Sequence, residues 1–438
     1  MQNHLVQLPW GTGELDVQIP ENWHLAGVLA PSSLPVLADV EAATARGLAD
    51  PIGTGRISQR VNAETKIALV IDDDSRPTPV AAIVPALFKE LQAGGARLDQ
   101  VTVIPGLGVH RAMRESEMAA RVGEEWFTQI NWTMHDCDDK EKLSYLGETS
   151  RGTPVWVNKM VAESDLIISV GCIEPHIIAS FGGGYKNLIP GVAARKTIAH
   201  NHGLNTTPDT FNNVGQPIEK NPMRLDLEEG AQMLEPPVFI INAVLNSALQ
   251  PVEIVCGDPI EAHRAGTKTS AQVYGVQVPA MPDVLITASY PMDQDLRQGV
   301  KALANNVRAV RKGGVMITAI RADEGEGVFG LANRKLPVGR GMLRLLAPLL
   351  LPNIGRLPLS GMGEEDRFFL YFALQAMRHA ELLVYAPNIP EEIHERLPFV
   401  TFVESMEAAV AMAQKKFPRN AVVVVIPNGG SSYPVLPG

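Results

Sequence analysis

The sequence predicts an α/β protein built as two α/β domains with largely parallel sheets and an interdomain active-site cleft. Three observations predict it. The chain has 438 residues, enough for two to four domains at ~100–200 residues each. Short apolar runs of strand length alternate with amphipathic stretches of helical length. Two of the helical stretches stop at glycine pairs, Gly94-Gly95 and Gly313-Gly314, the usual punctuation of a helix C-terminus.

The elements follow in order. Leu5 to Leu8 and Leu15 to Ile19 flank Gly11-Thr12-Gly13 and read as an opening hairpin. Lys66 to Ile71 is a strand, followed by a helix from Pro79 to Gln92. Strands at Val101 to Ile104, Asp165 to Val170, Val238 to Asn242 and Val252 to Val255 continue a sheet buried on both faces. A second βαβ series uses Val284 to Ala288, a helix from about Asp295 to Arg311, and Val315 to Ile320, then strands at Glu381 to Tyr385 and Val400 to Val403. The expected boundaries are an N-terminal cofactor-binding domain over 1–260, a linker over 261–272 and a C-terminal domain over 273–420. Residues 421–438 form a final strand and tail that can return to the N-terminal domain.

Composition narrows the function. Hydrophobic residues at 45% and charged residues at 20% describe a chain that folds. A net charge of −10 without a long basic run argues against a nucleic-acid partner. The apolar stretch from Leu343 to Leu351 is short and broken by Arg344 and Pro348, so no membrane span is expected. Cys137, Cys172 and Cys256 are odd in number and far apart, which fits a reducing compartment, the cytoplasm.

The chemistry-bearing residues cluster after strands. Five of the ten histidines lie between positions 110 and 202: His110, His135, His176, His200 and His202. His135 and His200 are the best candidates for a purely structural role. His110 closes a glycine-rich turn after the strand ending at Ile104, where ligands of open α/β sheets bind; the alternative is a helix-capping imidazole. Asp72-Asp-Asp-Ser-Arg76 follows another strand and can bind a metal, a ribose or an anion; the alternative is a solvated helix start with Thr78 as its cap. Gly182-Gly-Gly-Tyr-Lys186 resembles an anion cradle, yet Asn187 after the lysine excludes a P-loop, and no GxGxxG fingerprint is present. Arg297, Gln298 and Lys301 share one helical face, which can meet a carboxylate or simply be solvated.

Taken in order, Asp73-x-Ser75-Arg76-Pro, Gly108-x-His110-Arg111, Pro175-His176, Gly-Gly-Tyr-Lys186-x-x-x-Pro-Gly, Asn201-His202 and Gln298-x-x-Lys301 resemble the lactate racemase family that uses a nickel-pincer nucleotide. The resemblance spans nearly the whole chain. It implies a pyridinium-3-thioamide-5-thiocarboxylic acid mononucleotide on Lys186, with nickel bound to the cofactor and to His202. Asp73, Ser75, Gly183 and Gly184 would be further cofactor contacts. His110 and His176 would act as acid and base, and Arg76, Lys301, Gln298 and Arg297 would contact the substrate. The implied reaction is racemisation or epimerisation of a 2-hydroxy acid through a 2-keto acid, with cofactor-synthesis enzymes as transient partners.

Departures bear on the substrate. Arg297 stands where lactate-type members carry tyrosine, and Tyr185 and the Cys172-Ile-Glu-Pro run also differ, which favours a second carboxylate or a polyhydroxylated chain over lactate. A non-catalytic nucleotide-, metal- or hydroxy acid-binding protein on the same fold is the competing class. A nicotinamide dehydrogenase lacks its glycine fingerprint.

Overall fold

The computed structural model describes residues 4–205, 214–327, 330–333, 336, 338–354 and 364–436. The chain divides into two compact units. One comprises Ser33–Leu204 and Gln216–Val273; the other comprises Met1–Ser32, Asn205–Gly215 and Tyr274–Gly438. Each is an α/β unit around its own six-stranded sheet.

In the first unit the strand order is Pro251–Gly257, Val238–Leu245, Leu166–Cys172, Ile67–Asp72, Val101–Gly106, Asn131–Trp132. All neighbours are parallel except the hairpin of Val238–Leu245 with Pro251–Gly257. Every residue of Ile67–Asp72 and of Leu166–Cys172 is buried, which is why these strands read as unbroken apolar runs instead of alternating ones. The helix Val80–Ala93 buries Ile83, Val84, Leu87 and Phe88 in the same core as Leu69, Ile71, Val103 and Ile168. Each such side chain contributes ~1.5–3 kcal/mol of burial free energy.

Chain order reverses beside the strand Ile67–Asp72. The next strands, Val101–Gly106 and Asn131–Trp132, extend the sheet to one side, and Leu166–Cys172 and Val238–Leu245 extend it to the other. Pairing of Asp72 with Gly106 and of Ile71 with Val170 brings three carboxyl ends level. A crevice opens at such a switch point because the loops there leave in opposite directions.

The second sheet runs Thr401–Val403, Glu381–Tyr385, Val315–Ala319, Val284–Ala288, Val422–Ile426, His24–Val28, all parallel. It corrects the expected boundaries in three places. Residues 1–32 belong with the C-terminal unit, where His24–Val28 forms the edge strand and Leu8, Val17 and Ile19 of the opening hairpin pack with Val284, Ile317 and Val423. The final strand also stays there: Val423 to Ile426 are buried and take cover from both faces of that sheet. Finally, the expected linker is the helix Glu261–Tyr274, nearly all of it within the first unit, with His263 fully buried and bonded to the Gly182 carbonyl at 2.8 Å.

Ile286 is fully buried in the second sheet's core. Ile286→Ala is expected to lower stability by ~2–5 kcal/mol in urea unfolding; a change under ~0.5 kcal/mol, the range of surface substitutions, would contradict this packing.

Candidate active site

The residues following the three level strand ends form one bonded set. After Ile67–Asp72 the chain turns through Asp73, whose Oδ1 accepts from the Ser75 amide at 3.2 Å and from the Ser75 hydroxyl at 2.5 Å. The other oxygen of Asp73 lies 2.6 Å from Nδ1 of His110, which arrives on the turn after Val101–Gly106. Burial alone would raise the Asp73 carboxyl, but the bonds from His110 and Ser75 and the nearby charges of His110 and Arg76 outweigh it and lower the group to about 2. Asp73 is a carboxylate at any ordinary pH.

Arg121 fixes this turn from behind. It donates to the Asp72 carbonyl at 3.2 Å and the Arg76 carbonyl at 2.8 Å, and it pairs with the Asp72 carboxylate. Burial raises the Asp72 carboxyl despite Arg121. Thr78 donates to Asp72 and does not cap the following helix, so the solvated-start alternative fails here.

Arg76 pairs with Glu174, which follows the strand Leu166–Cys172. Glu174 first, then Cys172, Asp73 and Asp72, raise the guanidinium further against the cost of its burial. Two residues on, His176 sits in a two-residue strand, Pro175–His176, paired with Ser180–Phe181. Its Nδ1 accepts from the amides of Ile178 at 3.2 Å and Ala179 at 3.1 Å. Burial, then the charges of Lys186, Arg76, His202 and Arg224, lower its basicity well below the ordinary imidazole value.

The glycine run behaves differently from an anion cradle. The Gly182 amide donates to the Glu174 carbonyl at 2.7 Å and the Gly184 amide to Oδ1 of Asn242 at 2.8 Å, so both are spent inside the protein. What the glycines supply is backbone freedom: Gly183 and Gly184 have φ of 72° and 62°, which side chains rarely tolerate. Beneath them lies Arg224, with no exposed surface, donating to the carbonyls of Gly183 at 3.2 Å, Gly182 and Ala179 at 3.4 Å, and Phe181. The turn delivers Lys186, in the short helix Gly184–Asn187, half-buried. Burial, and then the charges of Arg76 and Arg224, lower its amine to about 7. Near neutral pH, much of this amine carries a lone pair and is nucleophilic.

His202 lies in the helix Arg195–Gly203, and its Nδ1 donates to the Ile198 carbonyl at 2.8 Å. Asn201 ties that helix down by donating to Asp226 at 2.8 Å, and Asp226 also accepts from Thr149 and Thr153. His135 and His200 are held by the Ala193 carbonyl and the Thr153 hydroxyl. Arg297, Gln298 and Lys301 belong to the other unit, half-buried on the helix Leu296–Asn306, whose N-cap Asp295 accepts from the Gln298 amide at 2.7 Å.

Comparison with known proteins places the chain beside lactate racemases. Residues 10–213 match the lactate racemase N-terminal domain. Lactate racemase of Thermoanaerobacterium thermosaccharolyticum is 29% identical over 330 residues, 74% of this chain and 76% of that protein. Lactate racemase of Lactiplantibacillus plantarum is 27% identical over 393 residues, 88% of each chain. The chain is similar to lactate racemases over most of its length. The fold agrees throughout: the apoprotein structure of the Thermoanaerobacterium enzyme superposes with a TM-score of 0.84 at 24% identity, covering 99% of this chain and 100% of that one. A Thermotoga maritima crystal structure follows with a TM-score of 0.60 at 14% identity, covering 91% and 97%.

Sequence reasoning missed Arg121, Arg224, Asn242 and His263. All four act on backbone or on buried partners, and a lone Arg or His in a helical pattern carries no signal of that. The lowered Lys186 amine has a direct consequence. Unfolding returns it to ~10.4, so its burial costs stability in full below about 7, and the cost is relieved as pH rises between the two values. Labelling with a small amine-reactive reagent, read by peptide mass, is expected to show a reactivity midpoint near about 7 for Lys186. A midpoint equal to that of the surface lysines would contradict the description of its surroundings.

Proposed function

We propose that this chain racemises or epimerises a 2-hydroxy acid, using a nickel-pincer nucleotide tethered to Lys186 and passing through a 2-keto acid. The observation that carries the reading is a near-neutral lysine amine together with two imidazoles that follow the carboxyl ends of the two parallel strands flanking Ile67–Asp72.

The donor set fits such a group. Lys186 would hold it covalently, and His202 would ligate the nickel: with Nδ1 donating to Ile198, Nε2 is the unprotonated nitrogen, as in metal-bound histidines. His202 is in no three-residue ligand cluster among the described residues; the one such cluster is Asp136, Cys137 and Asp138. As the resemblance implies, the remaining nickel ligands would come with the nucleotide. Ser75, Asp73, Gly183 and Gly184 lie on the turns from which it would be held. When bound, the group supplies a hydride acceptor, which no side chain can provide.

The chain's own residues do the rest. Arg76, its charge secured by Glu174, has further N–H groups for a substrate carboxylate. Arg297, Gln298 and Lys301 are proposed as further substrate contacts. His110 and His176 are proposed to meet the substrate hydroxyl at their Nε2 atoms as the acid–base pair. Loss of that proton and of the α-hydrogen leaves C2 planar, so configuration is forgotten. Three free thiols suit a reducing cytoplasm, and enzymes that build the nucleotide would be transient partners.

Chain co-expressed with cofactor-synthesis enzymes is expected to convert one enantiomer of a 2-hydroxy acid into the other by chiral chromatography. His110→Ala should slow conversion by ~10²–10⁴. Absence of any chirality change across lactate, malate and aldonic acids would contradict the reading. Arg297→Tyr is expected to move preference toward lactate. Unchanged preference in the same screen would remove Arg297 from substrate selection.

A further inference from the structure

The two histidines are held by partners of opposite chemistry. The partner of His110 Nδ1 is a carboxylate oxygen of Asp73, 2.6 Å away, which can only accept a proton. The partners of His176 Nδ1 are the backbone N–H groups of Ile178 and Ala179, at 3.2 and 3.1 Å, which can only donate. We infer that Asp73 and this amide pair fix the two rings in opposite tautomers, so that His110 offers an unprotonated Nε2 and His176 offers Nε2–H.

Both clamps are built into the fold. Asp73 is 3% exposed and stays on its turn through Ser75 and Arg121's grip on the flanking carbonyls. Its lowered carboxyl keeps it an acceptor at any ordinary pH. The amides facing His176 lie in a turn closed by Ser180 at φ 64°, an uncommon conformation for a residue with a side chain. Asn221 holds that turn by donating to the Ile178 carbonyl at 2.7 Å and the Ser180 hydroxyl at 2.9 Å, and Arg224 holds the Ala179 carbonyl. Neither amide can turn away without breaking these bonds. Lys186, Arg76, His202 and Arg224 add cationic surroundings that disfavour a second proton on His176.

The inference rests on the proposed function for its catalytic meaning, and it divides the labour that reading shares between the rings. His110 is the proton acceptor: the substrate O–H bond breaks, its proton bonds to Nε2 of His110, and Asp73 balances the imidazolium charge, as a buried carboxylate does for a catalytic histidine. The O–H electron pair becomes the second bond of the carbonyl; the nucleotide, when bound, would supply the acceptor for the α-hydrogen and its pair. His176, a neutral ring with Nε2–H outward, donates a hydrogen bond to the oxygen without giving up its proton. Reversal returns the same proton from His110. Asp73 is thus a positioning residue for His110.

The test is a long-range ¹H–¹⁵N correlation spectrum of the full chain with ¹⁵N-labelled histidine, at a pH well above the ordinary imidazole value of ~6.5. Signals are assigned with His110→Gln and His176→Gln. The inference expects Nδ1–H with bare Nε2 for His110 and the reverse for His176. It also expects Asp73→Asn to move His110 out of its tautomer while the His176 tautomer stays unchanged. The same tautomer in both rings, or a His110 signal unaffected by Asp73→Asn, would overturn it. These spectra need no cofactor, so a failed tautomer assignment leaves racemase activity to be judged separately, and absent activity leaves the tautomers standing.

Discussion

A lysine amine crowded by Arg76 and Arg224 is the constraint on which the rest of this site depends. Cations are expensive to gather out of water, and the fold answers by letting Lys186 give up its proton. Arg224 cannot do so near neutral pH, since burial lowers it only to about 10. It is stabilised by the carbonyls of the glycine turn and by Glu228, which also receives Arg264. The arrangement keeps one amine reactive in the midst of fixed positive charge, and that same charge suits a site for anionic ligands.

Around this amine the switch point supplies geometry at little cost. Three level strand ends emit three short turns, so Asp73, His110, Glu174 and His176 come together although they are spread over 104 positions of sequence, 73 to 176 inclusive. Four of the residues proposed for the chemistry are held in place by a second side chain. Asp73 holds His110, Glu174 holds Arg76, Asp226 holds the helix of His202, and Asn221 holds the turn beside His176. Preorganisation of this kind is what the proposed reaction, with its planar intermediate, would need, since orientation lost between two transfers is catalysis lost.

Much of the fold was legible because its central strands are buried on both faces. Runs such as Ile67 to Ile71 and Val422 to Ile426 have few other uses. What the pattern could not carry was partnership at long range: nothing local says that His24–Val28 pairs with Val422–Ile426, nearly the whole chain away. The same limit applies at the site. His110, His176, Lys186 and His202 stand out by residue type and spacing, whereas the Asp73 to His110 bond and the burial of Arg224 arise only when separate turns meet. The three glycines show the same limit. Their flexibility is real, but where the amides point is decided by Asn242 and the Glu174 carbonyl.

The most direct measurement is the mass of the peptide containing Lys186, together with nickel content, after the full chain is made in cells that synthesise the nucleotide. The account predicts an added nucleotide mass confined to that lysine, close to one nickel per chain, and loss of both in Lys186→Ala. An unmodified peptide and nickel-free protein from those cells would contradict it.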